Sequence, residues 1–308
     1  MFLMPVALAL LIQLNLDYEL LAVEDARGDT TRLIEALSST DGDDDIDVQL
    51  QAVRALGRFE RPELAAHVAP FLDAEAVALR IEAANALAQM KATGAGVNAR
   101  LAKETVPQAR AAFHEALGRL PDTGEAMLLR GLSEAEAVRL GAVKGLETFL
   151  RTRDVAPSND ATLALRQAVL ESRSFKIRQL ALLALNRAED RDIETLDAAW
   201  RDDDPRVRRL AILGLGEWRD DPSPMVRYAA LKAAPSCERA TRALTDASEH
   251  VVLLAIDSLG ENCAAETLQP LVQSQSWRRS ARALVSLARV APTAAQRELP
   301  RFVGHQVW

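Results

Sequence analysis

Histidine, cysteine and carboxylate side chains are the groups in this sequence that could carry out chemistry, and their number and spacing limit what that chemistry can be. The chain of 308 residues has four histidines and two cysteines. Its only His-Glu dipeptide is His114-Glu115. A centre that holds two metal ions needs several such ligands, so we expect this pair to be an ordinary surface feature of a helix.

The two cysteines, Cys237 and Cys263, match no zinc-binding spacing. They could form one disulfide if the chain is exported, but we favour two separate, partly buried thiols. The sequence also has no phosphate-binding loop, no dinucleotide fingerprint and no nucleophile elbow. We therefore predict a protein that is not an enzyme, with no catalytic residue, no metal site and no cofactor.

The composition indicates that helices must position any binding site. Ala and Leu dominate and aromatic residues are only 4% of the chain, a composition typical of helices. The net charge is −7, which argues against a general nucleic-acid binder because such proteins need a basic surface.

An apolar leader occupies residues 1–16, with no charge before Asp17. It is too short for a comfortable membrane span. It is similar to the apolar part of a secretion signal, but it lacks a basic start and a clear cleavage site. The alternative is an apolar first helix that caps the fold. We expect membrane contact only through this leader, and favour a cytoplasmic location over export.

A repeated template governs the rest of the chain. It has an apolar residue, often followed by Arg, then a small residue at position five, a Leu and often a closing Gly. The segments begin at Val48, Leu79, Ala109, Val138, Ile177, Val207, Val226 and Val251, and a looser ninth begins near Trp277. Positions one, five and nine share one helix face and predict a core stripe. The spacing of about 30 residues is enough for a hairpin of two helices. An amphipathic stretch before each template segment forms the first helix of the hairpin, and the template segment itself forms the second-type helix.

Two kinds of small residue in the template have different predicted roles. The Ala at position five, as in Ala52 and Ala211, lets a neighbouring helix approach closely. The closing glycines suit the left-handed conformation that ends a helix. They are Gly57, Gly118, Gly216 and Gly260.

The segments DDDPRVRRLAILGLG and SPMVRYAALKAA resemble the short HEAT repeat named after phycobilisome lyases. The resemblance covers roughly residues 29–308. It implies an all-α fold, a right-handed α-solenoid of about nine helical hairpins over residues 17–308 with the last repeat incomplete. It also implies that the Arg at position two pairs with an Asp of the adjoining turn. Those arginines are Arg80, Arg110, Arg139, Arg178, Arg208 and Arg227.

The repeat is interrupted twice. Extra residues between Ala142 and Ala181 are assigned to a polar loop at 151–160. Between Ala211 and Ala230 there is no room for a first helix, so two second-type helices should meet through GEWRDDPSP. We predict a local kink near 217–225.

Position seven of the template should line the concave surface, and it is polar in most repeats. In repeats five and six it is Leu183 and Leu213. These two residues, flanked by Arg209 and Tyr228 and with Trp218 nearby, predict a groove for a protein or peptide partner. The alternative is that the kinked region covers both leucines by its own packing.

The function favoured by these observations is a non-enzymatic scaffold that binds protein or peptide through its concave face. The run LLAVEDARGDTTRLIEALSS also resembles the HEAT region that precedes a cyclophilin-type peptidyl-prolyl isomerase domain. The chain would then be the docking region of a larger isomerase, continuing beyond Trp308. A HEAT-like lyase is the least expected function.

Overall fold

The computed structural model describes residues 20–38 and 44–303. The predicted leader at 1–16 and the residues after 303 lie outside this range. The described residues are helices, turns and loops without a strand, and they fall into two compact units that divide between Ala188 and Glu189. Helical hairpins that pack in sequence order build each unit, so the predicted all-α solenoid class is confirmed.

The first unit holds five second-type helices in its described residues, each with a first helix before it. In chain order its helices are α1 (20–26), α2 (Thr31–Ala36), α3 (Asp44–Arg58), α4 (Ala65–Val68), α5 (Val77–Gln89), α6 (Ala95–Leu101), α7 (Pro107–Leu117), α8 (Glu125–Leu132), α9 (Glu136–Arg153), α10 (Asn159–Glu171) and α11 (Phe175–Arg187). Short 3-10 turns at Pro62–Leu64 and Ala69–Asp73 flank α4. The second-type helices α3, α5, α7, α9 and α11 pack each against the next.

The second unit continues the same pattern. Its helices are α12 (Ile193–Trp200), α13 (Pro205–Leu215), α14 (Pro224–Ala233), α15 (Cys237–Ala243), α16 (Glu249–Asn262), α17 (Gln269–Val272), α18 (Trp277–Val290) and α19 (Pro292–Glu298). Further 3-10 turns lie at Ala265–Thr267 and Leu299–Arg301. Helices α13, α14, α16 and α18 form its stack of second-type helices.

The predicted core stripe is confirmed in both units. Val48 and Ala52 of α3, and Val207 and Ala211 of α13, are all at most 2% exposed. Because the small residue at position five adds no bulk, the next helix lies close enough for its apolar side chains to exclude water.

The closing glycines were predicted to end helices in the left-handed conformation, and this is confirmed for only one of the four. Gly216 has φ +65° and ends α13 in the left-handed region. The other three have no positive φ, and a Cβ on each would overlap a neighbouring helix. At Gly118 it would lie 2.1 Å from the carbonyl oxygen of Gly145 in α9. These glycines therefore allow close helix contact, which a pattern within one helix does not reveal.

The two interruptions have different outcomes. Helix α9 continues through Arg153, so the predicted loop at 151–160 is wrong at its start and shrinks to 154–158. The guanidinium of Arg153 lies 4.1 Å from the ring centre of Phe149, so the last turn of the helix packs along its own side chains.

The missing first helix before α14 is confirmed, since 216–223 contains no helix. The kink there stays a prediction.

The cysteines correct a second expectation. Cys237 and Cys263 form a disulfide, with 5.3 Å between their Cα atoms. Cys237 lies at the start of α15 and Cys263 lies directly after α16. The bond therefore joins the two chain ends of the α15–α16 hairpin, opposite its connecting loop. The two positions are 26 residues apart in sequence, and only the antiparallel packing of the two helices brings them together.

Replacing Gly118 with Ala should destabilise the first unit by about 3 kcal/mol, because the new methyl group meets the backbone of Gly145, which cannot rotate away. Gly28→Ala is the control, since a Cβ there meets nothing within 4 Å. Urea unfolding of the two variants measures the difference. Equal midpoints would show that α7 and α9 are not held at the close distance described here.

Candidate functional site

The arginine at position two of the repeat forms a clamp between neighbouring loops. In α13, Arg208 donates to both oxygens of Asp221 at 2.7 and 3.1 Å. Its third nitrogen donates to the carbonyl oxygens of Asp202 and Asp203 at 2.7 and 3.0 Å. One side chain therefore fixes the loop before its own helix and the loop before the next helix.

The same clamp occurs in other repeats. Arg227 pairs with Asp246 at 2.7 Å, whereas Arg80 and Arg110 pair at 2.7 Å with Glu104 and Glu134. The predicted pairing with Asp is therefore confirmed at Arg208 and Arg227, whereas the acid is Glu rather than Asp at Arg80 and Arg110. Their role is structural.

Glu104 shows how strongly the clamp favours the ionised carboxylate. Burial alone would raise its pKa, but hydrogen bonds from Arg80 and from the backbone N–H of Val106, together with the charge of Arg100, lower the pKa to about 2. Glu104 therefore stays charged at any physiological pH.

In several repeats the residue at position seven of the template forms a polar pair with a residue of a neighbouring repeat. Lys144 donates to Glu115 at 3.0 Å, Arg119 to Asn85 at 3.2 Å, and Arg282 to Asp257 at 2.6 Å. These polar side chains bind one another across neighbouring helices. They do not form a cluster that points to a reaction.

His114 contradicts its predicted surface position. It is 1% exposed, and its Nε2 lies 3.4 Å from a carboxylate oxygen of Glu134, the acid clamped by Arg110. Gly131 of α8 makes room for the ring, because a Cβ at that position would lie 2.6 Å from Nε2. Burial lowers the pKa of His114, against the opposing effect of Glu134. A histidine held neutral between packed helices has no open side for a substrate.

A groove of about 760 Å³ lies along α13, α14 and the start of α16. Its apolar wall includes Leu213, Met225 and Tyr228, which are 37%, 38% and 39% exposed. Basic side chains lie among them. The complete lining is Arg209, Leu213, Pro224, Met225, Tyr228, Ala229, Lys232, Ala233, Ser248 and His250. We call this feature the α13–α14 groove.

Three of the five predicted partner-binding residues lie on this groove: Arg209, Leu213 and Tyr228. Trp218 does not line it, and instead packs against the apolar cores on either side of α14. Leu183 is half-buried in α11 of the first unit. Their role in partner binding stays a prediction.

Seven lining residues were missed as partner-binding candidates: Pro224, Met225, Ala229, Lys232, Ala233, Ser248 and His250. The signal available for two of them was helical spacing, since Met225 and Lys232 lie three and four residues from Tyr228 and share its helix face. His250 enters from the start of α16, which no spacing within α14 could indicate.

Other kinds of site are not found in the described part of the chain. No group of three or more His, Cys, Asp or Glu residues there could hold a metal ion. Within 20–38 and 44–303, no helix is long and apolar enough to cross a membrane.

Comparison with known families gives a match to part of the chain. A family model described as HEAT repeats matches residues 30–96. The match lies in the first unit, where α2 with α3 and α4 with α5 form two hairpins. No curated protein is significantly similar to this chain in sequence, and the cyclophilin-type resemblance stays a prediction.

Two solved structures are similar to this chain at low sequence identity. An engineered protein is 18% identical, with a TM-score of 0.38, over 91% of this chain and 83% of its own. The YibA protein of Escherichia coli is 16% identical, with a TM-score of 0.44, over 77% of this chain and 92% of its own. Neither likeness enters the functional argument.

Replacing Arg208 with Gln should destabilise the second unit by about 3 kcal/mol, because it leaves the carboxylate of Asp221 buried without its counter-ion. Arg242→Gln is the matched control, since Arg242 pairs with Glu238 where both side chains are well exposed. Thermal unfolding checks the pair. A similar melting temperature for both variants would show that the clamp does not hold the stack.

The lowered pKa of buried His114 predicts that the free energy of unfolding depends on pH. Its pKa in the folded state lies below the unfolded value, so the unfolded chain binds more protons and stability falls as pH drops through the unfolded pKa of about 6.5. His114→Gln should flatten the free energy of unfolding between pH 8 and about pH 5, whereas exposed His67→Gln should not. An unchanged pH profile in His114→Gln would assign the dependence to other groups.

Proposed function

We propose that this protein is a non-enzymatic HEAT-repeat scaffold that binds a peptide segment of a partner protein in the α13–α14 groove. The observation that carries the proposal is the exposure of three large apolar side chains, Leu213, Met225 and Tyr228, along one concave feature. Exposed apolar surface collected in a groove is typical of a recognition site.

The groove has a rigid floor and fixed walls. Ile212, Val226, Ala229 and Ala230 form a buried apolar cluster between α13 and α14. The clamps of Arg208 and Arg227, described above, hold the loops at the start of both helices. A preformed site loses little entropy on binding, which favours affinity for a short segment.

The groove occurs where the repeat lacks its first helix. Most repeats insert a first helix between successive second-type helices in sequence, but 216–223 connects α13 directly to α14. The alternative interpretation, that local packing covers the apolar residues, does not fit Leu213, which remains 37% exposed. Leu183 in the first unit is half-buried, so the proposal does not include it.

Peptide selection with matched variants tests this function. Dodecapeptides selected from a random displayed library on the wild-type protein should lose binding to Leu213→Ser and Tyr228→Ser. They should keep binding to Leu163→Ser, which removes a side chain that is 62% exposed on α10. Melting temperatures should change little in all three. Selected peptides that bind Leu213→Ser and Tyr228→Ser unchanged would exclude the groove, and a drop of several degrees in Leu213→Ser would support the buried-core alternative.

The disulfide supports an oxidising compartment as the place where the scaffold works, because structural disulfides persist outside reducing cytosol. This differs from the cytoplasmic location favoured above. Alkylation of the protein in intact native cells, followed by mass spectrometry, should find Cys237 and Cys263 unmodified. Alkylated thiols at both positions would place the protein in a reducing compartment.

A further inference from the structure

The α13–α14 groove has a charge that the proposed function does not explain. Its lining contains Arg209, Lys232 and His250 and no carboxylate. The chain as a whole has a net charge of −7, so the basic lining of the groove differs from the balance of the protein.

Neighbouring arginines on the same two helices are neutralised, which makes the groove cations distinct. Arg208 is clamped to Asp221 and Arg227 to Asp246. Arg282 of α18 is also paired, with Asp257 at 2.6 Å. No carboxylate in the described part of the chain forms such a pair with Arg209 or Lys232.

Arg209 also has an unsatisfied donor. Its Nε atom is buried and has no hydrogen-bond partner among the described residues. A buried donor without a partner costs free energy. This atom is closed to a ligand, so an arriving acceptor meets the part of Arg209 that lines the groove. A carboxylate is the acceptor that matches guanidinium in both charge and geometry.

We infer that the groove selects an acidic peptide segment, in which carboxylates pair with Arg209 and Lys232 while neighbouring apolar side chains lie against Leu213, Met225 and Tyr228. This inference rests on the proposed function and specifies its partner. The volume of about 760 Å³ suits a few side chains. The apolar wall favours such a segment over a nucleic acid or a bare phosphate group, neither of which would use that wall.

Three fluorescein-labelled dodecapeptide pools test the charge selectivity directly. All three have Leu, Met or Phe at alternate positions. The remaining positions hold Glu or Asp in the acidic pool, Lys or Arg in the basic pool, and Ser or Gln in the neutral pool. Fluorescence anisotropy with the full chain should show the acidic pool binding at least tenfold more tightly than the neutral pool, with the basic pool weakest.

Charge variants identify the groups responsible. Arg209→Gln and Lys232→Gln should each weaken binding of the acidic pool about fivefold and leave the neutral pool unchanged. Arg289→Gln, at an exposed site on α18 that does not line the groove, should have no effect. Raising the salt concentration should reduce the preference for the acidic pool. Circular dichroism and melting temperature confirm that each variant is folded.

The outcomes separate the inference from the proposed function. If the neutral pool binds as tightly as the acidic pool and Leu213→Ser abolishes both, the groove is a peptide site but its acidic selectivity is wrong. If no pool binding depends on Leu213 or Tyr228, the proposed function itself fails. Equal losses in Arg289→Gln and Arg209→Gln would show that only net charge matters, and would overturn the inference.

Discussion

The structure depends on one repeated interaction, the clamp in which a half-buried or buried arginine joins two loops. Each clamp uses the guanidinium twice, once toward the carbonyl oxygens at the start of its own helix and once toward a carboxylate of the next repeat, as in Arg208. Desolvating these charges is unfavourable, so each group needs all of its partners. That requirement fixes the register of one hairpin on the next more narrowly than apolar packing alone, which is non-directional.

Close helix packing is the second constraint and acts where the clamp does not reach. Gly118 and Gly145 let α7 and α9 approach until backbone meets backbone. The same region holds His114, which is buried because Gly131 leaves a space for its ring. A side chain that could have been a ligand or a general base is thereby used for packing, and the first unit provides no reactive centre among these residues.

The groove lies at a break in the repeat. One first helix is missing there, so α13 and α14 follow one another directly in sequence, and Leu213, Met225 and Tyr228 are partly exposed on them. The clamps still hold both helices at their N-terminal loops. A regular scaffold thus acquires a distinctive surface without a change in fold, and Arg209 and Lys232 add the charge that we propose selects its partner.

The sequence by itself determined the helical class, the core positions and the missing helix before α14, because all of these follow from spacing within about 30 residues. Leu213 was found in the same way, since position seven is a helix-face property, and Arg209 and Tyr228 were named as the residues that flank it. The pairing role of the clamp arginines was implied by the resemblance to the short HEAT repeat. Tertiary structure alone decided the burial of His114, the pairing of Cys237 with Cys263, the packing role of Gly118 and the place of His250 in the groove. Each of these depends on which atoms of a different helix lie opposite, and local periodicity carries no information about that distance.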